Sequence, residues 1–323
     1  MIYITGATGF IGSRVARRLL ERGEQVRLLV RSRARADGLA RLGAELIEGA
    51  VTDARTHLQG LHGAQAAIHL AAIYDIGIVD AAAIQRTNVD GTRALLSAAE
   101  QAGTPRVVHV SSNAALGPVR AAPTEPVDAY AGPFHSAYHR SKAESHQLAR
   151  AAQHAGRPVI IVCPSFVYGP GDEGPAGRFI KDLVRRRVPA LLSRPAWFSY
   201  VHVDDVADGI VAALDRGAPG EVYLLTGEAS TMNDFAARVA RFAQVKPPRL
   251  RLPVGLARGL AAVLDPLSRI THMRFPMTRE TVRTTVTDRW LHTHERATRD
   301  LGYQPRSLDS GLPETVAWAL ANT

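Results

Sequence analysis

The feature that most constrains the fold is a glycine-rich stretch near the start of the chain, residues 5–12, with the sequence TGATGFIG. It follows a short apolar run, residues 2–4, and it opens a pattern of apolar residues three and four apart that predicts a helix packed on a sheet. Gly6 suits a tight turn, Gly9 lets the main chain approach a pyrophosphate, and Gly12 lets the helix pack closely on the strand. The order of strand, turn and helix therefore predicts a dinucleotide site, because helix amides and the helix dipole favour a bound phosphate.

The rest of the chain alternates strand and helix patterns, which predicts an α/β fold with a doubly wound parallel sheet of the Rossmann type. The further strands are expected at residues 25–30, 44–48, 66–70, 106–110, 159–162, 200–203 and 222–225. Helices are expected at 88–102, 136–155 and 205–214, and, after a shift in composition, at 232–243, 254–270 and 315–320. We expect a dinucleotide-binding domain over 1–230, of which 165–200 contributes to the substrate cleft, and a smaller, mostly helical substrate lobe over 231–323.

The residue after the second strand bears on the choice of cofactor. A carboxylate there would accept hydrogen bonds from the adenosine ribose, whereas an arginine would pair with a ribose 2′-phosphate. The strand ends in Arg31 and Ser32, with no acidic residue. The sequence favours NADP(H), and NAD(H) stays open.

A possible catalytic set lies at the end of the fifth strand and the start of the helix after it. Tyr138 and Lys142 are four residues apart, so they share one helix face, and an ammonium group near a phenol is expected to lower its pKa. Ser112 ends the adjacent strand and could hydrogen-bond the same substrate oxygen. In a parallel sheet that end is where ligands bind.

Composition excludes several other classes of protein. The hydrophobic fraction of 46% and charged fraction of 21% are ordinary for a globular chain, and the single cysteine, Cys163, excludes an internal disulfide. The net charge of +9 comes from dispersed arginines, without a nucleic-acid motif. No apolar run reaches spanning length, the chain begins on a core strand with no room for a signal peptide, and we expect a cytoplasmic protein.

Several polar residues have simpler interpretations than catalysis. The pairs His135 and His139, and His292 and His294, have no carboxylate at metal-ligand spacing, so no metal site is expected. Asp204 and Asp205 are expected to lie at a helix N-terminus, where the dipole favours acids. The apolar stretch 254–270 could touch a membrane, but Arg258, Asp265 and Arg269 interrupt it, so a substrate lid is expected instead.

The sequence resembles the extended (atypical) short-chain dehydrogenase/reductase family, also called the NAD-dependent epimerase/dehydratase family. The matching stretches are 5–12, 69–72, 88–92, 110–112, 138–142, 167–171, 201–206 and 297–305, followed by Gly311 and Trp318. The resemblance implies a Rossmann domain, Ser112, Tyr138 and Lys142 as catalytic triad, Asn88 as a supporting active-site residue, and a homodimer formed through the helices near 90–102 and 136–155. The expected cofactor contacts are Gly6, Thr8, Gly9, Phe10, Ile11, Gly12, Arg31, Ser32, Ala50, Val51, Leu70, Ala71, Ala72, Ser111, Tyr138, Lys142, Pro164 and Val167.

Within the family, Arg31 and the stretch 277–283 resemble the dihydroflavonol reductase-like and 3β-hydroxysteroid dehydrogenase-like branch. Three departures matter. Ala50 replaces an acid that usually lies near the adenine, and Cys163 stands where many sugar-nucleotide epimerases have an arginine. The pair Asn113 and Ala114 replaces the Asp-Glu pair of sugar dehydratases, which disfavours elimination.

The leading hypothesis is an NADP(H)-dependent oxidoreductase that interconverts a ketone and a secondary alcohol, with Tyr138 as acid and base. Phe134, Phe166, Trp197 and Phe198 are expected near the cleft, so the substrate would be a partly apolar small molecule such as a steroid, terpenoid, polyketide or flavonoid-like ketone. One alternative is a nucleotide-sugar epimerase with tightly held NAD. Another is a catalytically silent protein that senses NADP(H).

Overall fold

The structure is a computed structural model, and it describes residues 1–74, 80–119, 122–271, 278–286 and 288–322. The strands in these residues are β1 Ile2–Thr5, β2 Val26–Val30, β3 Glu45–Glu48, β4 Ala66–His69, β5 Val107–Val110, β6 Val159–Pro164, β7 Phe166–Tyr168, β8 Ala190–Leu192, β9 Trp197–His202, β10 Val222–Leu225, β11 Glu228–Thr231, β12 Leu250–Leu252 and β13 Arg289–Trp290. The α-helices are α1 Phe10–Glu21, α2 Asp37–Arg41, α3 Ala54–Leu61, α4 Ala81–Gln85, α5 Gly91–Gln101, α6 Ala137–His154, α7 Pro175–Val184, α8 Val203–Arg216, α9 Met232–Phe242, α10 Val254–Thr271, α11 Arg279–Thr285, α12 Glu295–Leu301 and α13 Leu308–Ala321.

The larger sheet has seven strands in the order β10-β6-β5-β4-β1-β2-β3, and every neighbouring pair is parallel. Most of its strands are continuous buried apolar runs because helices cover both faces. One apolar core lies between the sheet and α1 with α8, and a second lies between the sheet and α3, α5 and α6. The predicted doubly wound Rossmann fold is confirmed. The strand order reverses between β1 and β4, and ligands bind at such a switch point.

The smaller lobe contains more strand than the sequence pattern predicts. Residues 200–203 were expected among the strands of the parallel sheet, but β9 lies in a separate sheet of four strands with β7, β11 and β13. The partners of β9 are far from it in sequence, so periodicity could not identify its sheet. The last helix is also longer than expected, because α13 begins at Leu308.

The core of this lobe is an aromatic and aliphatic cluster under α7, α9 and α13. A smaller cluster joins α10 and α11 through Ala257, Ala261, Val282 and Val286. The chain then returns to the larger sheet, where Ala297 and Leu301 of α12 pack in the same core as α8. Segments from both sides of residue 230 contribute to each lobe. The division of the chain into domains at 230/231 stays a prediction.

None of the described helices is long and apolar enough to cross a membrane.

Candidate active site

The glycine-rich turn joins β1 to α1, and two of its glycines are required by the fold itself. Gly6 has φ of +77°, and a methyl group on it would lie 2.6 Å from the nitrogen of Ala71. A methyl group on Gly12 would lie 2.2 Å from the carbonyl oxygen of Gly6. Only glycine therefore fits at these two positions, because Gly6 packs against the end of β4 and Gly12 packs against the turn itself.

Gly9 is different, because its backbone angles, φ −86° and ψ 175°, suit any residue. A methyl group there would meet only the carbonyl oxygen of Gly6, at 3.2 Å, and Gly9 is exposed. Gly9 also begins α1 without a side-chain cap, and no acidic residue lies in the first turn. The free amides of this turn suit a phosphate, and the open space above Gly9 lets it come close, so the residues present fit a dinucleotide cofactor.

The predicted cofactor residues lie along one edge of the larger sheet, since the carboxyl ends of parallel strands meet there. Thr8 lies in the turn, and Phe10 and Ile11 begin α1. The other predicted contacts follow the ends of β2, β3, β4, β5 and β6, or lie in β7; they are Arg31, Ser32, Ala50, Val51, Leu70, Ala71, Ala72, Ser111, Pro164 and Val167. The contacts themselves stay predictions.

Arg31 is exposed at the end of β2. Its neighbour Arg33 is engaged with the third strand, with Nε 3.7 Å from a carboxylate oxygen of Glu48. Among the described residues no acidic group forms an ion pair with Arg31, so its guanidinium is available to an anion at this corner of the sheet.

Ser112 and Tyr138 are brought together from β5 and α6. Ser112 lies two residues after the end of β5 and accepts a hydrogen bond from the Ala114 amide at 3.1 Å. Ser136 precedes the first residue of α6, and its hydroxyl accepts from the His139 amide at 3.0 Å. Burial raises the pKa of Tyr138 to about 12, and a hydrogen bond with the Ser112 hydroxyl partly opposes this rise. Tyr138 therefore holds its proton at neutral pH.

Lys142 is buried, and its ammonium donates to the carbonyl oxygen of Val110 at 3.0 Å. Burial lowers the pKa of Lys142 to about 8, and the electrostatic influence of Cys163 opposes this fall. The expected lowering of the Tyr138 pKa is wrong for the protein chain alone, because removal from water outweighs the other effects on that phenol. The lysine still places a cation beneath the end of β5.

Asn88 joins the loop after β4 to α6. Its amide oxygen accepts from the Ile73 N–H at 2.7 Å, and its amide nitrogen donates to the Ile73 carbonyl at 3.1 Å and to the Ser141 hydroxyl at 2.9 Å. Ser141 in turn donates to the carbonyl of Tyr138 at 2.8 Å. Asn88 therefore supports the start of α6 without itself reaching the tyrosine hydroxyl, as a positioning residue would.

A buried histidine network was not predicted from the sequence. His69 bonds the Thr5 hydroxyl at 2.7 Å and the Thr92 hydroxyl at 3.1 Å, and Thr92 donates to the Asn88 carbonyl at 2.7 Å. This network links β1, the strand before the glycine turn, to Asn88. A buried histidine at the end of β4 was the available signal, but only the tertiary structure shows its partners.

Aromatic residues surround Tyr138 from distant parts of the chain. The ring of Tyr74 lies 4.8 Å from that of Tyr138, and the ring of His139 lies 5.1 Å from Trp290. His135 is 2.9 Å from the carboxylate of Asp288, which ties the start of α6 to the C-terminal segment. Trp290 is remote in sequence and carried no signal for the cleft.

The expected cleft aromatics divide into two groups. Phe166 and Phe198 pack 5.1 Å apart, Phe198 within the core of the smaller lobe and Phe166 partly buried against it, and their place near the cleft stays a prediction. Phe134 packs against Tyr130 at 6.1 Å, close to the start of α6, and Trp197 is 40% exposed.

The predicted acids at the start of α8 have the expected structural role. Asp204 pairs with Arg14 at 3.2 Å and Arg18 at 3.0 Å, and Asp205 pairs with Arg306 at 2.9 Å. Three ligand atoms, from His202, Asp204 and Glu314, lie within 4.8 Å of one another. Arginines already neutralise both of these carboxylates, so we infer no cation site there. The expectation that the protein has no metal site stays a prediction.

These features define a dinucleotide-binding α/β protein with serine, tyrosine and lysine at the carboxyl edge of its sheet. The chain belongs to the NAD dependent epimerase/dehydratase family, whose model matches residues 2–226. The stretch 277–283 begins outside the described residues, so the resemblance to a branch rests on relatives rather than on that segment. The predicted enzyme class, an NAD(P)-dependent oxidoreductase, is confirmed by relatives named as reductases and dehydrogenases.

Two curated relatives and one solved structure show the similarity along the whole chain. A protein from Synechocystis sp. that is named for dihydroflavonol 4-reductase is 32% identical, over 98% of this chain and 93% of that protein. Sterol demethylase protein B from Methylococcus capsulatus is 34% identical, over 98% of this chain and 97% of that protein. The crystal structure of gox2253 has a TM-score of 0.84 and 34% identity, and covers 100% of this chain and 98% of its own.

Proposed function

We propose that the protein is an NADP(H)-dependent reductase that converts a ketone on a partly apolar small molecule to a secondary alcohol. The observation that supports this is that Tyr138 and Ser112 lie together at the edge of the larger sheet where the glycine turn presents the free amides of α1. When bound there, the nicotinamide cofactor supplies the hydride. Gly6, Gly9 and Gly12 with the first turn of α1 would hold its pyrophosphate.

The side chains around the substrate oxygen can supply the proton. Tyr138 keeps its proton at neutral pH, which is the state needed to donate to a carbonyl oxygen that gains negative charge. Ser112 can donate a second hydrogen bond to the same oxygen and so orient it. Lys142 remains largely cationic below its pKa of about 8, which favours the developing anion at this edge.

The apolar substrate is supported by the surroundings of Tyr138. Tyr74 lies against the tyrosine ring, and burial lowers the pKa of the neighbouring His139 to about 4, so that histidine is neutral at pH 7. The names of the two relatives refer to a dihydroflavonol and to a sterol, and both are consistent with a polycyclic or aromatic ketone as substrate. Cys163 stands where many sugar-nucleotide epimerases have an arginine, and it is buried in β6.

NADP(H) is favoured over NAD(H) by Arg31, which lies at the end of β2 without an ion pair among the described residues. We expect Arg31→Gln to raise the KM for NADPH about 10- to 100-fold and to leave the KM for NADH nearly unchanged, since a charge-assisted hydrogen bond contributes about 1.5–3 kcal/mol. Arg17→Gln is the matched control, because Arg17 is also exposed but lies on α1. Equal effects on both cofactors would contradict the NADP(H) assignment.

Tyr138→Phe tests the reaction. With NADPH and a panel of aromatic and alicyclic ketones, we expect the variant to lose about 10²- to 10⁴-fold in kcat, the usual contribution of a positioned general acid. Tyr223→Phe is the control, because it also removes a tyrosine hydroxyl. That hydroxyl accepts a hydrogen bond from the Ala218 amide at 3.1 Å, and Tyr223 lies near the amino end of β10, away from the carboxyl edge of the sheet. Unchanged turnover in Tyr138→Phe would overturn the assignment.

A nucleotide-sugar epimerase is distinguished by cofactor exchange. Purified protein that carries stoichiometric, non-exchanging NAD and consumes no added NADPH with any ketone would favour the epimerase. Homodimerisation through α5 and α6 stays a prediction, and sedimentation of the purified chain tests it.

A further inference from the structure

The helix α10 has an unusual distribution of apolar residues. Its inner face is made of small residues, Ala257 and Ala261, which pack on α11. Three of its larger apolar residues are exposed to solvent: Leu256 is 55% exposed, Leu260 is 41% exposed and Val263 is 68% exposed. Ordinary surface helices have the reverse arrangement, with large apolar residues towards the core. We name these three residues the α10 stripe.

The stripe is continuous although charged residues interrupt the sequence. Leu256, Leu260 and Val263 are four and three residues apart and so lie on one side of the helix. Arg258 is two residues from Leu256, which places it on a different side. The strand before the helix adds Leu250, which is 67% exposed. These four side chains are exposed, and the lid expected from the sequence stays a prediction.

The surroundings of the stripe are strongly basic. Between Asp234 and Asp265 the sequence contains six lysines and arginines and no acidic residue. Four of these cations are exposed close to the stripe in sequence: Lys246, Arg249, Arg251 and Arg258. Within the described residues, none of the four forms an ion pair with an acidic group.

The strand pairing adds more positive charge at the same end of the lobe. Strand β12, which precedes α10, pairs with β8 in parallel register. Arg185, Arg186 and Arg187 are exposed just before β8. Asp265 and Glu280, the acids of α10 and α11, are each partly buried. An excess of cations therefore surrounds an exposed row of leucine and valine.

We propose that the α10 stripe and its basic surroundings dock on an anionic membrane surface, with α10 in the plane of the interface. Exposed leucines beside arginines and lysines are what interfacial helices use, because acyl chains take up the apolar side chains and lipid phosphates attract the cations. A second copy of this chain would bring two basic surfaces together, which like-charge repulsion disfavours. Docking here would give the enzyme access to a substrate that partitions into lipid.

The test is cosedimentation of the full chain with vesicles, one set of phosphatidylcholine alone and one of equal parts phosphatidylcholine and phosphatidylglycerol. We expect binding to the anionic vesicles that weakens in high salt, since screening shortens the reach of the charges. Leu260→Gln should weaken binding about three- to tenfold, from the apolar area that it would otherwise bury. Leu42→Gln, which changes a residue 43% exposed on the other lobe, should leave it unchanged.

The charges are tested by Lys246→Gln/Arg249→Gln, which should weaken binding to anionic vesicles by roughly fivefold for each cation. Arg17→Gln/Arg55→Gln removes the same charge from exposed positions of the larger lobe and should have little effect. The inference does not rest on the proposed function, since vesicle binding is measured without turnover.

Four results would overturn the inference. One is no binding to either vesicle, and another is equal loss of binding in the stripe variant and its control. A third is a change in oligomeric state with Leu260→Gln, which would assign the stripe to a second copy of the chain. The fourth is a change only in KM for a water-soluble ketone, which would assign the stripe to a lid.

Discussion

Replacement of Asn88 by alanine would disconnect the loop after β4 from the catalytic helix. The side chain is 2% exposed and makes three hydrogen bonds, two with the backbone of Ile73 and one with Ser141. An unsatisfied buried polar group costs about 1–3 kcal/mol. Asn88→Ala would leave the N–H and the carbonyl of Ile73 without this partner, and both are only partly buried, so each should cost the lower part of that range. We therefore expect Asn88→Ala to lower the free energy of unfolding by about 2–4 kcal/mol. Ser141 keeps its bond to the Tyr138 carbonyl and adds little.

The same change should reduce kcat by about tenfold, because the start of α6 loses a contact that fixes Tyr138 while the tyrosine itself remains. Urea unfolding measures the first effect, and steady-state kinetics with NADPH and a ketone measure the second. Asn88→Asp should be intermediate, since its carboxylate still accepts from Ile73 but cannot donate to the Ile73 carbonyl. Its pH profile for kcat should keep the same shape as the parent's, because Tyr138 still transfers the proton.

A matched control is Asn233→Ala in the smaller lobe. Asn233 donates one hydrogen bond to the Leu192 carbonyl at 3.0 Å, so its loss should cost about 1 kcal/mol of stability and leave kcat unchanged. If Asn88→Ala changes stability by less than about 0.5 kcal/mol, or leaves kcat unaltered, the loop and the helix are held by other contacts and the reasoning fails.

Two further predictions concern the glycine turn and acid stability. Gly9→Ala should raise the Kd of NADPH at least about tenfold with little change in Tm. Gly6→Ala should lower the free energy of unfolding by about 1–3 kcal/mol, because Gly6 has a positive φ. A large loss of Tm in Gly9→Ala would contradict the assignment of that glycine to the ligand. Burial lowers the pKa of His69 to about 3 and of His146 and His292 to about 4. The unfolded chain therefore binds more protons between about pH 4 and 6.5, and stability should fall as pH drops through that window, by about 2 kcal/mol for each histidine at pH 5. Equal urea midpoints at pH 7 and pH 5 would show that these histidines are not held neutral.

The sequence determined the larger sheet and the residues at its carboxyl edge. Apolar strands, helix periodicity and glycine spacing are local signals, and they placed residues 5–12, Ser112, Tyr138 and Lys142 at strand or helix ends that parallel pairing brings together. Periodicity did not reveal α2 or α3, which are short. Nor could it assign β9 to a sheet, because its partners come from distant segments.

Only the tertiary structure decided what surrounds each group. A pKa depends on burial, so the rise at Tyr138 could not be read from the four-residue spacing to Lys142. The partners of Asn88 and His69 come from separate strands and helices, and no spacing rule connects them. The same holds for α10: only packing shows that Ala257 and Ala261 face inward while Leu256 and Leu260 are exposed, and the expected lid stays a prediction.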